Sequence, residues 1–285
     1  ELAHVENDRF KTGVSVIPDF AKDNTDRNRT SPFAFTGNKF EFRGVGSSQS
    51  IAVANTMLNS ILAYEMNEMA TLIENGTTPM DVIKNFFTNH KRIIFNGDGY
   101  SHNWEDEAKK RGLSNITNTV DAIQTLKNPK MTKILLELGV LSENEISSRY
   151  EILLESYSKN IQVEALTSLK MIKNQIYPAS VSYLNEISQT AINLSKNNID
   201  NKFILDDIKE LSNLLEYVKK AISLLEVEIK KAQDSKTDYN KAAYIWKDNV
   251  VSLMNKIRII IDTIESKVSD KYWPIPTYTD LLFSL

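Results

Sequence analysis

Apolar residues in the C-terminal half recur three and four positions apart along two long runs, residues 208–229 and 243–264. This spacing places the apolar side chains on one face of a helix and charged side chains on the other. The polar stretch KKAQDSKTDYNK separates the two runs. The pattern predicts an antiparallel hairpin of two long helices that pack in coiled-coil fashion. The predicted seam residues are Ile208, Leu211, Leu215, Val218, Ile222, Leu225 and Ile229, then Ala243, Trp246, Val250, Leu253, Ile257, Ile260 and Ile264.

Glycine and proline divide the chain sharply. All nine glycines lie at or before Gly139, and neither residue type occurs between Pro178 and Pro274. Because these are the two strongest helix breakers, that stretch can hold long uninterrupted helices. A further helix is predicted from Glu143 to Tyr177, since Ser142 followed by Glu145 is the pattern of a capping box. We expect Pro178 to turn the chain into another helix that runs through Leu194.

The middle of the chain predicts shorter helices. Residues 50–76 have the composition of a helix that Gly76 closes. The next helix is predicted to start with Thr78 as its N-cap and Pro79 at its first position, and to end at Gly97. Three shorter helical segments, each bounded by Gly, Asn or Pro, are predicted at residues 104–110, 116–127 and 130–138.

Strand signals occur only in the first fifty residues. GVSVIP is short and rich in β-branched residues, while FAF and KFEFR alternate apolar and polar positions around the turn residues TGN. The predicted fold class is therefore mainly α, with a small β fragment before a bundle of long helices. We divide the chain into a β portion at 1–50, helical segments at 51–140, a long-helix bundle at 141–272 and an extended tail at 273–285.

Composition narrows the possible partners. The net charge of −3 provides no basic field, so we expect neither nucleic acid nor an anionic membrane as a partner. The absence of cysteine excludes disulfides and thiolate chemistry, and it fits a reducing compartment. No run approaches the roughly 20 apolar residues that cross a bilayer. The N-terminus has neither the apolar stretch of a signal peptide nor an initiator methionine, so we expect a piece of a longer protein.

The candidate chemistry lies on the strand KFEFR. Successive side chains of a strand point to opposite faces, so Lys39, Glu41 and Arg43 share one face and Phe40 and Phe42 share the other. We expect the two phenylalanines to anchor the strand to a core. The opposite face then presents cation, carboxylate and cation at spacings of roughly 7 Å.

This charged face has two interpretations. A carboxylate on a rigid strand can bind a hard divalent metal ion, and a guanidinium can bind a carboxylate or phosphate through two hydrogen bonds. Arg29, in a loop rich in Asn, Asp, Thr and Ser, adds another anion-binding group. The alternative is a solvated strand surface with weak cross-strand pairs, which is the commoner meaning of alternating charge. Spacing and composition alone do not decide between the two.

Two segments resemble a known family. DRNRTSPFAFTGNKFEFRGVGSS resembles the signature near the end of the catalytic domain of glutamine synthetase, specifically of the large type III form found in bacteria. DKYWPIPTYTDLLFSL resembles the closing segment of type III enzymes. The resemblance implies that the β portion is the end of a catalytic domain and that the chain is the C-terminal part of a glutamate–ammonia ligase.

The family resemblance implies a mechanism. ATP phosphorylates the γ-carboxylate of glutamate, and ammonia attacks the acyl phosphate to give glutamine. Two divalent metal ions, Mg²⁺ or Mn²⁺, neutralise the charge of the phosphate and carboxylate groups. The family also implies a cytoplasmic homo-oligomer of stacked hexameric rings, with the helical C-terminal region where rings or subunits meet.

The same resemblance implies roles for individual residues. Glu41 matches a carboxylate that ligates one metal ion, and Arg43 matches the arginine that holds the glutamate substrate. Arg29 matches the catalytic arginine that stabilises the phosphoryl group during transfer and also contacts the nucleotide. Lys39 falls where a basic residue approaches the nucleotide phosphates. The chain departs from the familiar forms at Ala34, where they carry a second arginine.

The remaining active-site motifs of the family are absent from the chain, including the other metal-binding glutamates and the histidine metal ligand. We expect His4, His90 and His102 to be surface or packing residues, like Tyr150, Tyr157 and Trp246. The chain would then supply one wall of an active site and be inactive alone. The alternative function is a helical oligomerisation or interaction module without catalysis. The segment Trp273–Tyr278 is expected to dock the tail onto the body or onto a neighbouring subunit.

Overall fold

The computed structural model describes most of the chain, in segments whose outermost residues are 9 and 283. Contacts divide the chain into two compact units, residues 1–115 and 116–285. The four-part division expected from the sequence stays a prediction. Within the part of the chain that the structure describes, no helix is long and apolar enough to cross a membrane. The described residues are 9–10, 20–21, 33–35, 40–44, 46, 49–94 and 102–283.

The strands of the first unit form two antiparallel pairs. β1 (Arg9–Phe10) pairs with β2 (Phe20–Ala21), and β3 (Phe33–Phe35) pairs with β4 (Phe40–Phe42). The second pair confirms the hairpin predicted from FAF and KFEFR. The predicted strand GVSVIP lies outside the described residues.

The first helix of this unit follows its predicted bounds closely. α1 (Ala52–Glu74) is followed by Gly76 at a φ of 92°, a left-handed conformation that glycine adopts without strain. α2 (Pro79–His90) begins as predicted, because the Thr78 hydroxyl accepts a 3.2 Å hydrogen bond from the backbone N–H of Asp81. α3 (His102–Lys110) completes the helices of the unit.

α2 is shorter than predicted, and the extension to Gly97 is wrong. A 3₁₀ turn (Lys91–Ile93) follows it, and Ile94 is extended. The Arg111 guanidinium donates to the carbonyls of Arg92 at 3.2 Å and of Ile94 at 2.9 Å. These side-chain hydrogen bonds satisfy carbonyls that a longer helix would have bonded internally.

The second unit begins with short helices, and a long continuous helix follows them. α4 (Thr119–Ile123) leads through a 3₁₀ turn (Gln124–Lys127) to α5 (Pro129–Glu137). The predicted capping box opens α6 (Glu143–Met171): the Ser142 N–H donates to Glu145 Oε2 at 2.8 Å, and the Glu145 N–H donates to Ser142 Oγ at 3.3 Å. A π-helical segment (Ile172–Ile176) joins α6 to α7 (Tyr177–Lys196).

Pro178 does not turn the chain, so that prediction is wrong. The backbone stays helical from Glu143 to Lys196. A proline inside an α-helix lacks the N–H that the carbonyl four residues earlier requires, and its ring collides with that carbonyl. A π turn directs its carbonyls at the N–H five residues on. The carbonyl four residues before Pro178 is that of Asn174, and it belongs to the π segment rather than to a regular α-helical turn.

The predicted hairpin is confirmed. α8 (Lys202–Asp234) turns at residues 235–238 into α9 (Tyr239–Ile245), which continues through a second π-helical segment (Trp246–Val251) into α10 (Ser252–Glu265). Most of the predicted seam is buried, and Ile208, Leu253 and Ile260 are half-buried. Together with α6 and α7, these helices form a bundle around one apolar core.

The tail packs on this bundle. Trp273 is 7% exposed and belongs to the core, with Tyr272 and Ile275 beside it, which confirms docking onto the body. The last residues are not extended as predicted, because α11 (Tyr278–Phe283) is helical. Thr277 and Asp280 cap this helix: the Thr277 N–H donates to Asp280 Oδ2 at 2.9 Å, and the Asp280 N–H donates to Thr277 Oγ1 at 3.2 Å.

Candidate functional site

The β3–β4 hairpin separates a polar face from an aromatic one. Phe33 lies opposite Phe42 and Phe35 opposite Phe40, while Ala34 lies opposite Glu41. The rings of Phe33 and Phe40 stack with centroids 5.1 Å apart and an interplanar angle of 7°. Glu41 therefore projects from the face opposite to the phenylalanines of its own strand, as the alternation predicted.

The aromatic face is not anchored in a core, and that prediction is wrong. Phe40 is 61% exposed and Phe42 is 53% exposed. A two-stranded hairpin has no second layer of its own that could cover these rings. The buried apolar side chains of the described residues belong almost entirely to the second unit, and Val82 and Ala108 are the ones in the described part of the first.

Two of the predicted site residues come together on the polar face. Arg43 Nη2 donates to Glu41 Oε2 at 2.8 Å, and the two side chains are 31% and 40% exposed. At this exposure the ion pair contributes at most about 1 kcal/mol to stability. Its importance is positional, because it fixes a carboxylate and a guanidinium side by side. Arg29 and Lys39 lie outside the described residues.

Ala34 gains significance from the strand register. It is the residue directly opposite Glu41 in the strand pairing. The family resemblance implied an arginine at this position, where the chain has alanine. Among the described residues, Arg43 is a cation that contacts Glu41, from two residues further along the same strand.

The described residues do not form a complete metal site. A carboxylate is a hard oxygen ligand of the kind that Mg²⁺ and Mn²⁺ prefer, so Glu41 suits the role chemically. Across residues 9–283, as far as the structure describes them, no three His, Asp or Glu side chains converge on a point where an ion could bind. The role of Glu41 as a metal ligand therefore stays a prediction.

The structure describes several of the residues that we expected to lie at the surface or to serve packing. The exposed ring of His90 lies against Phe86, with centroids 5.6 Å apart, while His4 lies outside the described residues. His102 begins α3. Tyr150 and Trp246 are buried as predicted, at 5% and 2% exposure.

A polar cluster in the second unit was not singled out by the sequence pattern. Asp121 Oδ1 accepts a 3.0 Å hydrogen bond from the Tyr244 hydroxyl and lies 3.3 Å from Lys247 Nζ. Asn118 Nδ2 donates to Asp121 Oδ2 at 2.6 Å. The hydrogen bonds from Asn118 and then Tyr244, together with Lys247, hold the pKa of Asp121 below its ordinary value. The cluster joins α4 to the helix that contains Tyr244 and Lys247, more than a hundred residues later in the sequence. A local sequence pattern cannot indicate a contact between residues so far apart.

A second unanticipated group is Glu228, a carboxylate within the apolar seam. It is 9% exposed, and its Oε2 accepts a 2.7 Å hydrogen bond from Asn249 Nδ2. Its Oε1 accepts a 2.5 Å hydrogen bond from Lys231 Nζ. The Lys231 contact first, and then Asn249, lower the pKa of Glu228. The sequence signal that could have identified this group is a charged residue, Glu228, immediately before the seam residue Ile229.

Comparison with known proteins connects this structure to a family. The family model described as the glutamine synthetase C-terminal domain matches residues 78–195, which span α2 to α7. Residues 78–195 are thus similar to the C-terminal domain of glutamine synthetase. Comparison with curated glutamine synthetases also confirms the resemblance to type III enzymes.

Three relatives align with nearly the whole chain. A type-3 glutamine synthetase of Dictyostelium discoideum is 35% identical over 290 residues, which cover 97% of this chain and 39% of the relative. A glutamine synthetase of Bacteroides fragilis is 32% identical, with coverage of 98% and 40%. One from Butyrivibrio fibrisolvens is 35% identical, with coverage of 93% and 39%. The chain thus spans about two fifths of the length of these curated relatives.

The matched domain and the candidate site occupy different parts of the chain. Residues 78–195 lie entirely after the β3–β4 hairpin that carries Glu41 and Arg43. The glutamine synthetase domain match therefore rests on the helices, and the roles of the hairpin residues rest on the strand motif and its geometry.

Proposed function

We propose that this chain is the C-terminal portion of an ATP-dependent glutamate–ammonia ligase and supplies one wall of its active site. The observation that carries the proposal is the Glu41–Arg43 pair. Its two side chains lie 2.8 Å apart on the polar face of the hairpin, in a chain whose helices match the glutamine synthetase C-terminal domain. In this proposal ATP activates the γ-carboxylate of glutamate, and ammonia then displaces the phosphate.

Each hairpin residue has a distinct task in the proposal. Arg43 binds the carboxylate of the glutamate substrate, since a guanidinium carries five N–H donors, enough for both Glu41 and a second carboxylate. Glu41 supplies one oxygen ligand to a divalent metal ion, Mg²⁺ or Mn²⁺, which when bound neutralises charge on phosphate and carboxylate groups. Arg29 stabilises the transferred phosphoryl group and contacts the nucleotide, and Lys39 approaches the nucleotide phosphates.

The apolar surface of the first unit supports a wall that packs against further polypeptide. α1 is 23 residues long, and its one buried residue is Ser60. Val53, Leu62 and Met66 are 65%, 58% and 66% exposed. An apolar surface of this kind is typical of a face that packs against protein. Because the described residues offer one metal ligand, we expect no synthetase activity from the chain alone.

Cytoplasmic location and assembly into stacked hexameric rings are also part of the proposal. They are supported by the similarity to type III enzymes, and the long-helix bundle is the proposed contact region between subunits. A pure oligomerisation module is the second candidate function. The length of the bundle favours it, since α6, the π segment and α7 run without a break over Glu143–Lys196.

A chimera tests the proposal. This chain replaces the matching C-terminal two fifths of the Dictyostelium discoideum relative, and glutamate-, ammonia- and ATP-dependent phosphate release is measured with and without Glu41→Ala. We expect Glu41→Ala to lower kcat about 10²-fold or more, the size typical of losing a group that stabilises developing charge.

The control is Glu216→Ala, which removes an exposed glutamate paired with Lys220 on α8. It should leave the rate within about twofold, since exposed ion pairs contribute little. If Glu41→Ala is as active as this control, the hairpin has no catalytic role, and the oligomerisation module becomes the better description.

A further inference from the structure

Both π-helical segments contribute to the core that α8 also lines, and both contact the same stretch of α8. Ile172 and Ile176 of the first segment and Trp246 and Val250 of the second belong to the core cluster that contains Leu225 and Ile229 of α8. Each segment also makes one polar contact with this stretch of α8. Lys173 pairs with Glu226 at 2.5 Å, and Asn249 donates to Glu228 at 2.7 Å.

These two contacts differ in burial and therefore in consequence. The side chains of Lys173 and Glu226 are 46% and 43% exposed, so water competes with their pairing. The side chain of Glu228 is 11% exposed, and the pKa of this carboxyl lies below its ordinary value, so a charge sits within the packed seam. A buried carboxylate needs partners for its oxygens, because desolvation otherwise disfavours the folded state.

The partners of Glu228 come from two sources. Lys231 lies one turn further along the same helix, so that hydrogen bond would form in any arrangement of the bundle. Asn249 lies on the following helix, inside the π segment. A π segment contains one residue more than the α-helical path it replaces. The hydrogen bond to Asn249 thus couples the π segment of one helix to the buried charge of another.

We propose that Glu228 and Asn249 form a register lock. The π segment Trp246–Val251 delivers the Asn249 amide to the Glu228 carboxylate, and this contact selects one alignment of α10 against α8. The apolar seam alone selects between alignments less strongly. Most of its side chains are Ile, Leu or Val, which are similar enough to pack after α10 has shifted along α8. A single buried polar contact is a well-attested means of fixing the register of packed helices.

The lock acts on everything that follows it. α10 ends at Glu265, and a short connection follows it to Trp273, which packs in the same core as Trp246. The alignment of α10 therefore determines where Trp273 and the tail dock. The 2.9 Å ion pair between Lys267, just after the end of α10, and Glu210 of α8 forms only in the selected alignment.

A polarity swap in the full chain tests the contact. Asn249→Asp places a second carboxylate against Glu228, and we expect amide hydrogen exchange in residues 252–265 to accelerate at least about tenfold. Adding Glu228→Gln restores an amide–carboxylate pair with the donor and acceptor reversed, so exchange should return to within about threefold of the unaltered chain. The matched control Glu216→Gln, on the same helix but exposed, should restore nothing.

A deletion tests the reason for the π segment. Removing Asn249 converts the segment to the regular α-helical path and takes away the hydrogen bond that Glu228 receives from the neighbouring helix. We expect this deletion to accelerate exchange in residues 252–265, and the added change Glu228→Leu to reverse most of the effect, since no buried charge then needs the amide.

Rescue in both experiments is the expected result. The proposal is overturned if Glu228→Gln leaves the Asn249→Asp chain as fast in exchange as the single variant. It is equally overturned if Asn249→Asp alone leaves exchange in α10 unchanged. A deletion chain that does not fold leaves the polarity swap as the deciding measurement.

Discussion

Three carboxylates illustrate how partners determine what a charged side chain does in this protein. Glu41 pairs with Arg43 on a strand face where both side chains are partly exposed. Asp121 accepts hydrogen bonds from Asn118, Tyr244 and Lys247 and joins two distant helices. Glu228 is buried in the bundle beside Lys231 and Asn249. The proposed metal-binding role belongs to the exposed carboxylate Glu41, whereas the contacts of Asp121 and Glu228 hold helices together.

Asp121 gives a pH-dependent contribution to stability. Its pKa is lower in the folded chain than in the unfolded chain, chiefly through Asn118 and Tyr244. The stabilisation is therefore fully present above the unfolded pKa of about 3.9 and is lost as the pH falls through the lower folded pKa. We expect Asp121→Asn to lower the urea midpoint at neutral pH, with a difference from the unaltered chain that shrinks as the solution is acidified below about pH 4.

The control for this measurement is Asp206→Asn, at an exposed aspartate of α8. Its urea midpoint should follow that of the unaltered chain at each pH. A difference between Asp121→Asn and the unaltered chain that stays constant from pH 7 to pH 3 would contradict the assignment.

At the scale of helices and strands, the sequence was informative where the cause is local. The starts of α2 and α6 follow from Thr78 and Ser142, whose caps form within three residues. The seam of α8 follows from its spacing. The β3–β4 hairpin follows from alternation around a short turn. These features need no knowledge of the rest of the fold.

The sequence was uninformative where the cause is distant. α2 ends early because Arg111, seventeen residues beyond Ile94, binds the carbonyl there. Glu228 tolerates burial because Asn249 reaches it from another helix. Phe40 and Phe42 alternate with charged residues, as core-facing residues of a strand do. The alternation does not indicate whether other residues cover the two rings, and in the structure both are exposed. Arg29 and Lys39 were found by motif resemblance, and their roles remain predictions.

Pro178 allows a test of how a helix accommodates proline. A proline strained inside a regular α-helix costs about 3 kcal/mol, so its replacement by alanine would raise stability by a similar amount. Because the carbonyl four residues before Pro178 belongs to a π segment rather than to a regular α-helical turn, we expect Pro178→Ala to change the free energy of unfolding by less than about 1 kcal/mol. Urea denaturation of the full chain measures the difference.

Val181→Pro is the matched control for that experiment. It places the ring three positions further along the same helix, where the carbonyl four residues earlier belongs to Tyr177 and lies within α7. We expect a loss of about 3 kcal/mol. A gain of that size on Pro178→Ala would show instead that proline strains the helix.

At the scale of the whole molecule, the two units differ in what they bury. The second unit encloses a continuous core that extends from Ala165 of α6 to Trp273 of the tail. The described part of the first unit exposes large apolar side chains on both of its long helices, including Met80 and Phe87 of α2 at 73% and 67%. A core of its own gives a unit the capacity to fold alone, whereas exposed apolar faces indicate a unit that needs further contacts.

We therefore expect residues 116–285, produced alone, to fold into a helical unit with one cooperative urea transition. Trp246 and Trp273 are the tryptophans of this unit, and both are buried, so their fluorescence should shift to longer wavelength in that same transition. Trp246→Ala should destabilise the unit by about 3–5 kcal/mol, since it removes the largest fully buried side chain. Residues 1–115, produced alone, should show no cooperative transition, because the apolar faces of α1 and α2 lack their cover. A gradual, non-cooperative loss of helix in residues 116–285 would contradict this division, since it would mean that the bundle core depends on contacts outside its own unit.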